Sequence, residues 1–120
     1  DGTVRALPPI LIAPVSSSFF DYTAKYGGED ACLEIVPAPC SDELKEKLME
    51  NALKAHQVLQ CRGISRTDMI EKKGEVYVLE TNTLPGFTSE SLVPKSFKSW
   101  GGTFTELLDI LIDTELKRNS

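Results

Sequence analysis

CRGISRTDMIEKKGEVYVLETNTLPGFTSESLVP, residues 61–94, is the stretch whose reading decides the fold. Gly63 to Glu71 is extended and mixed in character, Lys72-Lys73-Gly74-Glu75 is polar with a glycine, and Val76 to Leu79 is apolar or β-branched. That order predicts two strands joined by a tight turn. Side chains alternate faces along a strand, so Arg66 and Asp68 share one face of the first strand, and Glu80 and Asn82 share one face of the second. Register decides whether the four meet. Pairing Lys72 with Val76 across a three-residue loop, with Gly74 in the left-handed position, sets Asp68 opposite Glu80 and Arg66 opposite Asn82. A slip of one residue would send the acids to opposite faces.

Two carboxylates and an amide oxygen grouped in this way would repel in isolation. Hard oxygen donors of this kind suit magnesium, which completes its shell with water or phosphate oxygens, so the implied ligand is a metal nucleotide. The same residues also fit a solvent-exposed hairpin with an ordinary cross-strand ion pair between Arg66 and Glu80. Beyond Asn82, Thr83 to Ser89 forms a loop in which Gly86 permits close backbone approach, and Ser89 to Pro94 begins a helix whose free amides favour an anion.

GISRTDMI (63–70) followed by YVLETNTLPGFTSESLVP (77–94) resembles the C-terminal half of the D-alanine:D-alanine ligases, members of the ATP-grasp superfamily. The specific signal is the order Arg-x-Asp, hairpin, Glu-x-Asn-x-x-Pro-Gly and Ser-Leu-Val-Pro, and the resemblance extends from Leu7 to Glu115. A second match lies in VSSSFFDYTAKYGG (15–28), which is similar to the mobile loop of these ligases, a Tyr-Asp-Tyr-x-x-Lys-Tyr run that closes over the active site. Asp21, Tyr22, Lys25 and Tyr26 match that run, while Phe20 stands where the family has tyrosine and lacks its hydroxyl.

The remainder of the chain reads as scaffold. Leu7 to Ile12 suggests a strand after a proline break, Ala31 to Val36 a second strand ended by Pro37-Ala38-Pro39, and Ser41 caps a helix with Asp42 and Glu43 in its first turn. Leu44, Leu48, Ala52, Ala55 and Leu59 give that helix one apolar face. His56, the only histidine, lies beside this stripe and reads as a packing or boundary residue. A helix from about Leu92 to Trp100 stops at Gly101-Gly102, and Thr103 with Glu106 forms a capping box for a last helix. Phe104, Leu107, Leu108 and Leu111 of that helix are expected to pack back on the sheet. The fold class expected is α+β, an antiparallel sheet with packed helices.

Composition narrows the function classes. At 120 residues with 41% hydrophobic and 26% charged residues, the chain fits a globular domain. A net charge of −5 with no basic patch argues against nucleic acid. The apolar runs, such as Ile10 to Val15 and Leu107 to Ile112, are too short for a membrane span, and nothing resembles a signal peptide. Cys32, Cys40 and Cys61 lack metal spacing and read as reduced thiols in a cytoplasmic protein.

The resemblance implies more than the residues alone. It implies the C-terminal portion of an ATP-grasp fold over residues 1–120. It also implies a fragment, since the chain opens on Asp1-Gly2-Thr3 at a point that lies well inside the ligases. The implied activity is ATP-dependent joining of two D-alanines for peptidoglycan synthesis, through transfer of phosphate to one D-alanine carboxylate and attack of a second D-alanine amine on the acyl phosphate. Cofactors would be ATP with magnesium or manganese, held by Asp68, Glu80 and Asn82. Arg66 and the Gly86 amide would stabilise the oxyanion as catalytic groups, together with Ser91. Ser91 and the Leu92 amide would hold the second substrate, with Lys25 near phosphate and Tyr26 near substrate. The remainder of the ligase chain would be the partner, and the full-length protein a homodimer, while this chain alone would be inactive. Another ATP-grasp ligase joining a carboxylate to an amine, a D-alanine:D-lactate ligase and a non-catalytic fragment are the alternatives.

Overall fold

The computed structural model describes residues 3–14 and 32–118. Four strands and three helices follow in the order β1 (Leu11–Pro14), β2 (Cys32–Ile35), α1 (Asp42–Val58), β3 (Arg66–Lys72), β4 (Glu75–Asn82), α2 (Leu92–Trp100) and α3 (Phe104–Arg118). The architecture is α+β, as the sequence predicts, but the antiparallel strands form two separate two-stranded sheets, β1 with β2 and β3 with β4. The first strand is shorter and later than expected, beginning at Leu11 rather than Leu7.

Helix ends follow the chemistry of their caps. Ser41 has an extended backbone and its Oγ accepts the Leu44 N–H at 3.1 Å, with Asp42 and Glu43 in the first turn. The far end of α1 closes with two bonds, Gln60 N–H to Gln57 O at 3.1 Å and Cys61 N–H to His56 O at 2.9 Å. This is the Schellman pattern, and it puts Gln60 at a φ of +55°, a conformation that glycine adopts without strain. Helix α2 ends on the same pattern, with Gly101 at a φ of +119° and Gly102 donating to Phe97 O at 3.1 Å. A Cβ at Gly102 would lie 2.1 Å from the Phe97 ring, so the second glycine is needed for packing as well as for the stop. Thr103 Oγ1 accepts the Glu106 N–H at 3.1 Å at the start of α3.

The buried core lies between the last two helices. Val93, Phe97 and Leu107 are buried there, and Leu7, Ile64, Phe87 and Leu111 pack around them. Helix α3 therefore rests mainly on α2, not on the sheet as its apolar pattern suggests. Helix α1 covers one face of the β3–β4 hairpin. None of its residues is fully buried, and Leu59, expected on its apolar face, is exposed. The β1–β2 pair is fastened to the rest by polar contacts. Lys95 Nζ donates to Glu34 Oε1 at 2.7 Å and Ser96 Oγ donates to Pro8 O, while Ala38 N–H to Pro9 O at 2.8 Å continues the β1–β2 pairing itself beyond Leu11 and Ile35.

Candidate functional site

The β3–β4 hairpin brings the predicted residues together, although not by the predicted turn. Lys72 pairs with Glu75, so the loop holds only Lys73 and Gly74, at φ of +52° and +82°. Both central residues lie in the left-handed region, the signature of a type I′ turn, whose twist matches that of the strands. The expected pairing of Lys72 with Val76 is thus corrected by one residue. A second irregularity compensates, because the register shifts between Asp68 and Met69: Met69 faces Val78, Asp68 faces Glu80, and Leu79 is left as the extra residue of a β-bulge. Beyond the bulge Arg66 is opposite Asn82 and Asp68 opposite Glu80. All four share one face by alternation, and Thr67 and Thr81, bonded through their hydroxyls at 3.1 Å, occupy the other.

On the shared face the cation pairs within its own strand, and the expected alternative of an Arg66–Glu80 pair is not what forms. Arg66 Nε donates to Asp68 Oδ1 at 2.9 Å and Nη2 donates to Asp68 Oδ2 at 3.2 Å, a bidentate contact with both side chains a little over a quarter exposed. A guanidinium carries five N–H donors, so this pair leaves three for another acceptor. Glu80 is exposed. Asn82 Oδ1 accepts the Leu84 N–H at 2.9 Å, which orients the amide and leaves its oxygen one lone pair. No cluster of three or more histidine, cysteine or acidic side chains suited to a metal exists among the described residues. The donor set on this face is two carboxylates and one amide oxygen. That set suits a hard cation which takes its remaining ligands from water and phosphate, and does not suit a softer metal that needs nitrogen or sulfur.

The loop after β4 folds around Ser91. Its Oγ accepts the Thr88 N–H at 3.0 Å and shares a hydrogen bond with Thr88 Oγ1 at 2.9 Å. When Thr88 Oγ1 is the donor, the Ser91 O–H is free to donate outward. Ser91 occupies the N-cap position of α2 but makes no side-chain cap bond, which leaves the first amides of the helix, Leu92 and Val93, uncapped. Gly86 comes close as expected: a Cβ there would lie 3.0 Å from Ser91 Oγ. Thr88 is a residue that sequence reasoning passed over, although a hydroxyl residue three positions before Ser91 is a recognisable turn signal.

Other expectations fare differently. Lys25, Tyr26 and Phe20 lie outside the described residues, as does the Cys32 side chain. Cys40 and Cys61 are free thiols. His56 is more than a boundary residue, because its Nδ1 lies 2.7 Å from Ser65 Oγ, one residue before Arg66. Among the described residues no helix is long and apolar enough to cross a membrane.

The sequence model of a family described as D-ala D-ala ligase C-terminus matches residues 1–113. The chain belongs to this family. It is 48% identical over 115 residues to the D-alanine–D-alanine ligase of Syntrophobacter fumaroxidans, covering 95% of this chain and 37% of that one. Against the corresponding ligase of Desulfotalea psychrophila it is 44% identical, over 97% of this chain and 36% of the relative. A crystal structure of the Bacillus anthracis D-alanine–D-alanine ligase complexed with ATP superimposes with a TM-score of 0.77 at 35% identity, covering 92% of this chain and 34% of that one. VanG, a D-Ala:D-Ser ligase from Enterococcus faecalis, gives a TM-score of 0.70 at 39% identity over 88% of this chain and 30% of its own. The fold is thus the C-terminal portion of an ATP-grasp fold, and the chain spans about a third of the length of the relatives it matches.

Proposed function

We propose that residues 1–120 form the C-terminal subdomain of an ATP-dependent D-alanine:D-alanine ligase and contribute its metal-nucleotide and second-substrate groups. The observation that carries the reading is the register that puts Arg66, Asp68, Glu80 and Asn82 on one face of the hairpin. Family membership and the ATP-complexed relative support it. Asp68, Glu80 and Asn82 would hold magnesium or manganese, which when bound neutralises charge on the terminal phosphates of ATP. Arg66 holds Asp68 in a bidentate pair that a bound cation would compete with, and its remaining N–H groups are available to an oxyanion.

The reaction on this reading has two steps. A carboxylate oxygen of the first D-alanine attacks the γ-phosphorus and ADP leaves; the amine of the second D-alanine then attacks the acyl carbon, its nitrogen gives up a proton to water or to the departing phosphate, and phosphate leaves with the C–O bond's electrons. Arg66 and the Gly86 amide stabilise the negative oxygen of the tetrahedral state. The Ser91 O–H and the Leu92 amide, at the uncapped start of α2, hold the carboxylate of the second substrate. Lys25 and Tyr26 belong to the same reading, near phosphate and substrate. The partners are the remainder of the ligase chain and a second copy in a homodimer, and the compartment is the cytoplasm.

Likeness to a D-Ala:D-Ser ligase makes the second substrate the point to test. The natural full-length protein is assayed for ATP-dependent phosphate release with D-alanine alone and with D-alanine plus D-serine or D-lactate, the products being weighed by mass spectrometry. D-alanyl-D-alanine is the product expected. D-alanyl-D-serine or the D-lactate depsipeptide in excess would replace the second substrate, and no D-alanine-dependent release would end the proposal.

A further inference from the structure

We propose that His56 is a positioning residue for Arg66, acting through Ser65; this rests on the ligase reading above. The segment from the end of α1 to the start of β3 is short and conformationally demanding, with Gln60 and Gly63 at φ of +55° and +66°. His56 fastens it at both ends. Its backbone carbonyl accepts the Cys61 N–H at 2.9 Å, closing the helix, and its Nδ1 meets Ser65 Oγ at 2.7 Å, immediately before the strand. Both side chains are half-buried. An apolar side chain would serve as well for covering the hairpin there, so what the imidazole adds is direction.

Direction at Ser65 is direction at Arg66. Ser65 immediately precedes β3, so tying its side chain to α1 fixes the backbone from which Arg66, the first strand residue, projects onto the face that carries Asp68 and Glu80. Cross-strand pairing and the bidentate contact to Asp68 hold the rest of Arg66 but lie within the hairpin itself. The His56–Ser65 bond references the hairpin to α1. An oxyanion donor has to sit within a few tenths of an ångström of its place, and a misplacement of about 1 Å can cost roughly a hundredfold in rate.

The test uses the natural full-length protein. His56→Leu and Ser65→Ala should each lower kcat about tenfold with KM for ATP and D-alanine within about twofold of wild type. The double variant should be no worse than either single one, because both remove the same bond. His56→Asn, whose amide can restore a bond to Ser65, should recover most of the loss. In 15N spectra the Arg66 Nε–H resonance should move in His56→Leu and return in His56→Asn. Unchanged kcat in His56→Leu, additive losses in the double variant, or no recovery with asparagine would overturn the proposal. Were the wild-type protein to make no D-alanyl-D-alanine, the ligase reading would fall. The Arg66 resonance would then decide the positioning role alone, supported if it moves and overturned if it does not.

Discussion

Arg66 and Asp68 are each committed to the other before any ligand arrives, and this couples two roles that a sequence keeps apart. Arg66→Met should lower kcat by about 10²–10³, the cost of losing an oxyanion donor. It should not weaken use of magnesium ATP, because Asp68 keeps its charge and loses the cation that competes for it. Glu80→Gln should do the reverse, raising the magnesium concentration needed for half-maximal rate. Steady-state kinetics with metal and nucleotide varied separately distinguish the two, and a raised concentration of magnesium ATP for half-maximal rate in Arg66→Met would reassign the residue to nucleotide binding. Gln60 supplies a test independent of chemistry. An L-residue at a φ of +55° carries about 1–2 kcal/mol of strain, partly offset by the extra unfolded-state freedom of glycine. Gln60→Gly should therefore stabilise the protein by about 0.5–1 kcal/mol in chemical denaturation and leave kcat unchanged. Nothing in the apolar periodicity of α1 shows that residue 60 takes this conformation; only the paired bonds that close the helix do.

At the scale of the element, the hairpin reaches the expected site pairing by two departures from the expected path. Alternation made the shared face of Arg66, Asp68, Glu80 and Asn82 legible, and the glycine at 74 made the turn legible. Loop length was not legible, because a three-residue loop and a two-residue loop followed by a bulge give the same pairing at Asp68 and Glu80. The bulge stores one surplus residue in β4, and this makes the hairpin asymmetric toward length changes. Deleting Leu79 removes the surplus and leaves Asp68 opposite Glu80, so activity should fall by no more than about tenfold, the effect of losing the bulge's local bend. Inserting one glycine after Leu79 exceeds what the bulge holds, turns Glu80 to the opposite face, and should reduce turnover to background. Equal losses in the two variants would mean that register does not set the site. Lys73→Asn, better suited to φ of +52° in a type I′ turn, should add about 0.5 kcal/mol of stability in the same hairpin without changing turnover.

Across the whole molecule, the balance of buried and exposed apolar surface sets the limit on what this chain does by itself. The helices, the Ser41 and Thr103 caps and the Gly101-Gly102 stop were legible from local chemistry, while the stop of α1 at Gln60 was not. The contacts that join Glu34 to Lys95 and Pro8 to Ser96 were not, since they link residues 61 and 88 positions apart and leave no periodic trace. The apolar stripe of α3 predicted burial but could not name the partner, and α2 took the place expected of the sheet. Among the described residues the buried apolar core is only Val93, Phe97 and Leu107. Ile70, Tyr77, Val78 and Leu79 on the hairpin and Ile110, Ile112 and Leu116 on α3 remain exposed. Such surface is the mark of an interface. Apolar area left in water forgoes about 25 cal/mol per Å², so a chain with this distribution should be marginally stable. The 120-residue chain, purified alone, should bind an apolar dye such as ANS, unfold at low denaturant concentration and release no phosphate from ATP in the presence of D-alanine. The full-length natural protein, carrying the same residues, should lose most of the dye binding and turn over. Turnover by the isolated chain, or a sharp high-temperature unfolding transition without dye binding, would show that the hairpin face and α3 are complete without a covering partner.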